Sequence, residues 1–204
     1  MRRLFLLVGV TTAILVGPNI ALADDLNPPP WRNGPGTTFG MWEFSTNNPN
    51  PLPDLGNYPW GPPSTTVTPG LFQNWMPEWQ GRFGVWPLSG EIVTTIPNQP
   101  LLLPFKDIWI QLTWARQAPN TWPAVSETRF GVASSLVQEL PLPGGWFHST
   151  YLIHLEPNPD WERILITGSV NVDEMVIDTR CFPEPTTLCL LAAGAMALLH
   201  RRRP

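Results

Sequence analysis

The sequence predicts an all-β fold, an antiparallel β-sandwich of jelly-roll type, and three observations predict it. Proline makes up 26 of 204 residues, which forbids long helices, because proline lacks a backbone donor and clashes with the preceding turn. Between residues 24 and 182 no stretch carries apolar residues at helical spacing over ten or more positions without a Pro or Gly. Short segments instead alternate apolar and polar residues with a period of two and are bounded by turn residues, the pattern of half-buried strands in a sandwich. No internal repeat is visible, which disfavours propellers and solenoids.

In chain order, residues 24–36 (DDLNPPPWRNGPG) read as an extended, mobile arm, and 37–182 as the sandwich. Thr37 to Ser45 is the first strand, with Trp42 and Phe44 on one face. Asn47 to Gly70 is a long loop of Pro, Asn and Gly, packed by Tyr58 and Trp60 and interrupted by a short strand at Thr65 to Thr68. Phe83 to Trp86 and Glu91 to Ile96 form a hairpin across Pro87-Leu88-Ser89-Gly90. Lys106 to Ala115 is the clearest strand: Ile108, Ile110, Leu112 and Trp114 point one way, Trp109, Gln111 and Thr113 the other. Arg129 to Ser134 and Leu136 to Leu140 are weaker strands. Ser149 to Glu156 alternates again, opposing Tyr151, Ile153 and Leu155 to Leu152 and His154. Trp161 to Thr167 and Met175 to Thr179 close the set, linked through Gly168-Ser169 and a bulge or turn near Asp173-Glu174. The expectation is seven to nine strands.

The two ends are of a different kind. Arg2-Arg3, the apolar run Leu4 to Val16, Gly17-Pro18 and then Ala21-Leu22-Ala23 are the basic, apolar and small-residue regions of a signal peptide, residues 1–23. Signal peptidase cutting after Ala23 leaves Asp24 as the mature N-terminus. At the other end Pro183-Glu184-Pro185 precedes an uncharged run over 186–200, rich in Leu and Ala, and Arg201-Arg202-Arg203. The twelve residues Leu188 to Leu199 make a helix of roughly 18 Å at about 1.5 Å per residue, short of the roughly 30 Å hydrocarbon core, so flanking residues and snorkelling arginines must complete a weak anchor. Basic residues stay on the cytoplasmic side, so Arg201 to Arg203 place everything before Pro183 outside.

The order of these features over 183–204 resembles the PEP-CTERM sorting signal of bacteria that export extracellular polysaccharide. The resemblance implies that a membrane-embedded exosortase recognises Pro183-Glu184-Pro185, cuts near them, and releases or re-attaches the body at the cell surface or in the extracellular matrix. Cys189 within the apolar run and Pro204 after the last arginine depart from the pattern without breaking it.

Between the two ends, seven basic side chains face fifteen acidic ones, a net charge of −8. That balance repels nucleic acid and acidic polysaccharide, and the cations are scattered rather than clustered. Cys181 has no partner once the C-terminal segment carrying Cys189 is removed; it is either buried or available for an intermolecular bond.

The chemistry is sparse. His148 and His154 lie six residues apart with no cysteine near them in sequence, too little for zinc. Two acidic groups, Glu156-Asp160-Glu162 and Asp173-Glu174-Asp178, read as solvated turn carboxylates, with calcium as the cofactor either group would take. No G-x-S-x-G, H-E-x-x-H or phosphate-cradling glycine loop is present, so no catalytic residue is assigned. Tryptophan is the remaining handle. Trp42 and Trp114 read as core; Trp31, Trp60, Trp79, Trp86, Trp122 and Trp161 lie in turn-like settings where they cover a rim or stack on a ligand. Trp109 shares its face with Gln111 and Thr113, a polar setting suited to stacking on sugar rings, unless a loop lies over it. Three functions fit: a non-enzymatic exported surface or matrix protein, a carbohydrate-binding module working through exposed tryptophans, and a secreted polysaccharide hydrolase or lyase that needs convergent carboxylates.

Overall fold

The computed structural model describes residues 24–101 and 103–182. The Ala21 and Ala23 cleavage motif, Pro183-Glu184-Pro185, the apolar run 186–200 and Arg201 to Arg203 lie outside the described residues. Among the described residues there are thirteen strands: β1 (Thr37–Trp42), β2 (Leu55–Asn57), β3 (Ser64–Thr68), β4 (Met76–Trp79), β5 (Arg82–Leu88), β6 (Glu91–Pro97), β7 (Phe105–Arg116), β8 (Ala124–Glu127), β9 (Val132–Ala133), β10 (Ser135–Leu142), β11 (Trp146–Leu155), β12 (Trp161–Thr167) and β13 (Val170–Phe182). All pairings are antiparallel. The larger sheet runs β10-β11-β7-β13-β1-β2, with β5 joined to β13 and β4 to β5; the smaller runs β3-β6-β12-β8-β9. The chain alternates between the two, and one hydrophobic core joins them.

Period-two alternation builds that core. Ile108, Ile110, Leu112 and Trp114 of β7 and Tyr151, Ile153 and Leu155 of β11 point inward from the larger sheet. Ile92 and Ile96 of β6 and Ile164 and Ile166 of β12 meet them from the smaller one. β7 sits between β11 and β13, with Ile110 opposite both Tyr151 and Ile177. Trp42 and Phe44 share the core as the sequence predicts, although β1 ends at Trp42; Phe44 takes a left-handed φ of 48° beyond it and still turns its ring inward.

Several expectations need correction. Phe83 to Trp86 and Glu91 to Ile96 do not pair: β5 binds β13 through Val172↔Trp86, whereas β6 binds β12 and β3, so Ser89-Gly90 carries the chain from one sheet to the other. A hairpin turn and a sheet-switching turn use the same residues. Arg129 to Ser134 is mostly turn, with only Val132–Ala133 as strand, and β8 just before it was not expected. The buried Glu127 carboxylate organises this corner by accepting the backbone N–H groups of Arg129 (2.9 Å), Phe130 (2.8 Å) and Arg163 (3.1 Å). Trp86 belongs to the core rather than the rim. The bulge expected near Asp173-Glu174 is present: the register of β13 against β7 shifts between Val172 and Glu174.

Cys181 is buried, its thiol donating to Asn98 Oδ1 at 3.0 Å, and burial pushes its pKa upward, which makes it a poor nucleophile. At the same end of the core Lys106 Nζ of β7 lies 2.6 Å from Glu162 Oε1 of β12, both side chains wholly buried, so the two sheets are linked by an ion pair. Removing one partner of such a pair strands the other charge, whereas replacing both with apolar groups does not. Lys106→Met is therefore expected to cost roughly 3–5 kcal/mol, and Lys106→Met combined with Glu162→Leu to recover most of that loss, as read by urea denaturation of the body.

Candidate functional site

The outward faces of β7, β11 and β13 are polar: Gln111 and Thr113, His148 and Thr150, Glu174 and Asp178. All six are nonetheless buried, Asp178 and Thr150 with no exposed area. What helps to cover them is the segment before β1, which is docked rather than mobile. Asn27 N–H donates to Gln111 Oε1 at 2.7 Å, Asn27 Nδ2 to Thr150 Oγ1 at 3.2 Å, and Gln111 Nε2 to Asp25 Oδ1 at 2.6 Å. Arg32 places a bidentate fork on Asp178, Nε–Oδ1 2.5 Å and Nη2–Oδ2 2.7 Å, and also pairs with Asp25. Gly36 makes the turn into β1 with a φ of +71°, and a Cβ there would lie 2.9 Å from the Cys181 carbonyl oxygen.

Trp109 lies under this arm. Its indole N–H donates to the Asn27 carbonyl at 2.9 Å and the side chain is half-buried, so the arm takes the place that an open stacking platform would need. His148 is enclosed on the same face, with Nδ1 3.1 Å from Thr113 Oγ1 and Nε2 3.2 Å from Gln111 Oε1; burial lowers its pKa and keeps it neutral. His154 stands apart at the surface, between Asp107 at 2.7 Å and Glu156 at 3.2 Å. The two histidines are not brought together.

The acidic groups also sort differently from the expectation. Glu156, Asp160 and Glu162 form no cluster: Glu156 faces His154, Asp160 pairs with Arg129 at the surface, and Glu162 is in the core. Asp173, Glu174 and Asp178 are buried rather than solvated, at 2%, 6% and 0% exposure. The sequence hides this, because the groups that cover them lie about 90 to 150 residues earlier.

A cleft opens where β13 changes partner. Val170–Val172 pairs with β5, Met175–Arg180 pairs with β1, and the bulge at Asp173 separates them. The fork encloses about 600 Å³, bounded by Glu43, Trp75, Arg82, Phe83, Asp173 and Glu174. Gly84 lets β5 approach the end of β1: it has a φ of +82°, and a Cβ would sit 2.6 Å from the Phe44 carbonyl oxygen. Trp75 donates its indole N–H to that same carbonyl at 2.9 Å, which fixes the ring at the cleft wall, while Phe83 is 67% exposed. On the outer side of the fork a second small core, Val85, Ala115 and Trp146, holds the β4–β5 hairpin down.

Inside the cleft Arg82 Nη1 lies 3.0 Å from Asp173 Oδ2 and also pairs with Asp24. Glu174 Oε2 accepts the backbone N–H of Asp24. Burial pushes Asp173 up to about 6, with Arg82 opposing, and Glu174 up to about 8. Asp24, Asp173 and Glu174 bring ligand atoms within 4.8 Å of one another, the one such triad among the described residues. Arg82 already supplies a fixed positive charge there, which lowers the attraction for calcium.

The arm's hold on β13 generates a prediction. Arg32→Ala leaves the Asp178 carboxylate buried without its fork, with an expected cost of about 3 kcal/mol. The arm should then be cut by chymotrypsin or elastase under conditions in which the parent body survives; SDS gels after limited proteolysis read the difference.

Among the described residues no helix is long and apolar enough to cross a membrane. No curated protein matches the chain. Residues 183–203 match the family model of the PEP-CTERM protein-sorting motif, a signal that implies export, exosortase processing and cell-surface sorting.

Proposed function

We propose that the body is a non-enzymatic interaction module displayed at the cell surface or in the extracellular matrix, and that it binds a neutral saccharide in the cleft at the β13 bulge. The observation that carries this reading is the pairing of an exposed aromatic ring, Phe83, and a fixed indole, Trp75, with Arg82 and carboxylates in one concave site of about 600 Å³. Aromatic faces stack on the apolar faces of sugars while charged groups bond their hydroxyls. The connectivity agrees. The strand set β1-β13-β7-β11 facing β6-β12-β8-β9 has the alternation of a jelly roll, an architecture that hosts lectin domains, although fold alone does not assign function.

A hydrolase reading draws on the paired carboxylates Asp173 and Glu174. Both are already engaged, Asp173 by Arg82 and Glu174 by the Asp24 N–H, so neither is presented to a substrate as a free acid or base. Calcium has no better claim, since Arg82 already holds two of the three carboxylates, Asp24 and Asp173. Partners expected during maturation are signal peptidase and the exosortase.

Affinity electrophoresis of the purified body against a panel of neutral and acidic polysaccharides tests the binding reading. Retardation by at least one neutral glucan, mannan or galactan is expected, weakened about tenfold by Phe83→Ala, with acidic polymers giving none. No retardation by any member removes the proposal. For the sorting signal, intact mass of the native product should show loss of the segment that follows Pro183-Glu184-Pro185, and Glu184→Ala should leave the full C-terminus attached.

A further inference from the structure

We propose that the buried Asp173–Glu174 notch is the binding site for the protein's own processed N-terminus: cleavage after Ala23 turns the backbone nitrogen of Asp24 into an α-ammonium group that pairs with Glu174. Two independent observations meet at one atom. The small-residue motif Ala21-Leu22-Ala23 sets the cut immediately before Asp24. The nitrogen exposed by that cut is the one in contact with Glu174 Oε2, 150 residues away in sequence, at a carboxyl only 6% exposed.

The charges around the contact explain why an ammonium suits it better than an amide. Glu174 interacts with Asp24 on the arm, Asp173 beside it on β13 and Arg82 on β5 as the nearby cation. Around them Glu43 beyond β1 bears on Asp173, and His148 on β11 lies in the field of Asp24, Asp25 and Arg82. Arg82 is shared between Asp24 and Asp173, and burial keeps His148 neutral. The notch is therefore short of positive charge. With only an amide as donor, burial raises Glu174 to about 8, so the folded body binds a proton there that the unfolded chain releases near pH 4.5. Stability then falls as pH rises across that interval. An α-ammonium, which stays protonated at pH 7, supplies the missing charge, allows Glu174 to ionise, and removes the fall. Signal-peptide removal thus fastens the arm over the polar face of the larger sheet, and the arm locks on the exported form alone.

The test compares the body with a free Asp24 amine and the same body carrying one extra glycine before Asp24, each with and without Glu174→Gln. Mass spectrometry of the exported product should first show Asp24 as the N-terminal residue; any other start overturns the proposal. The free-amine form should melt about 3 °C or more above the extended form at pH 7. The gap should widen from pH 5 to 7.5, and it should vanish in both Glu174→Gln proteins. Equal melting temperatures in the parent pair, or a gap that survives Glu174→Gln, overturns it. So does calcium raising both parent forms alike, which would make a metal ion the occupant. These outcomes are independent of whether the cleft binds a sugar.

Discussion

The constraint on which the rest depends is the polarity of the outer face of the central strands. A sandwich ordinarily leaves that face to water, and period-two alternation puts polar side chains there for that reason. Here Gln111, Thr150, His148, Glu174 and Asp178 are withdrawn from water, so each needs a partner within the protein. The arm supplies many of them with its backbone and with Asp25, Asn27 and Arg32. Its three consecutive prolines fix φ ahead of the turns that bond Arg32 N–H to the Pro29 carbonyl and Gly34 N–H to that of Trp31, which limits the entropy lost when the arm lies down on the sheet. The outer surface of β7 and β13 is thus a second interface, polar and charge-paired, opposite the apolar one between the sheets.

That interface also fixes the cleft. Because β13 hands its edge from β5 to β1 at the Asp173 bulge, the sheet splits there, and the split would expose two carboxylates if Arg82 and the arm did not meet them. The β4–β5 hairpin is held at the required angle by Trp146, which packs edge-on against Trp79 at 5.4 Å between ring centroids beneath it. Moving the hairpin would therefore disturb Arg82 and Phe83 together. A site formed at a fork in a sheet borrows its rigidity from strands that are otherwise occupied with the core.

The inner architecture was legible in the sequence because it is written in local periodicity. Ile108, Ile110, Leu112 and Trp114 announce their common face within one strand, and Tyr151, Ile153 and Leu155 do the same. The Asp173-Glu174 irregularity was legible as well, since two acids interrupt an apolar alternation. The outer interface was not. Whether Asp178 is solvated or buried depends on Arg32, 146 residues earlier, and no local pattern records that distance. For the same reason Trp109 reads as a polar-face platform in isolation and becomes a donor to Asn27 in the fold. The two-sheet switch at Ser89-Gly90 stayed hidden because a turn's residues encode its backbone angles but not which strands its flanks pair with.

The cations of the body bear on what the cleft can take. Arg32 is committed to Asp178 and Asp25, Arg82 to Asp24 and Asp173, Lys106 to Glu162, Arg129 to Asp160 and Arg180 to Asp107. Arg116 lies over Phe147 at 4.3 Å and Arg163 over Trp161 at 5.5 Å. All seven are thus engaged within a body whose net charge is −8. A polyanion approaching the cleft would meet a net repulsive field and would have to break an existing ion pair to gain a contact. A neutral polyol meets neither obstacle, because its hydroxyls can bond carboxylate oxygens and guanidinium N–H groups that remain paired with each other. The same charge pairing that covers the outer face of the sheet thereby selects against acidic ligands and leaves the aromatic wall of Trp75 and Phe83 as the surface on which discrimination among neutral ones must rest.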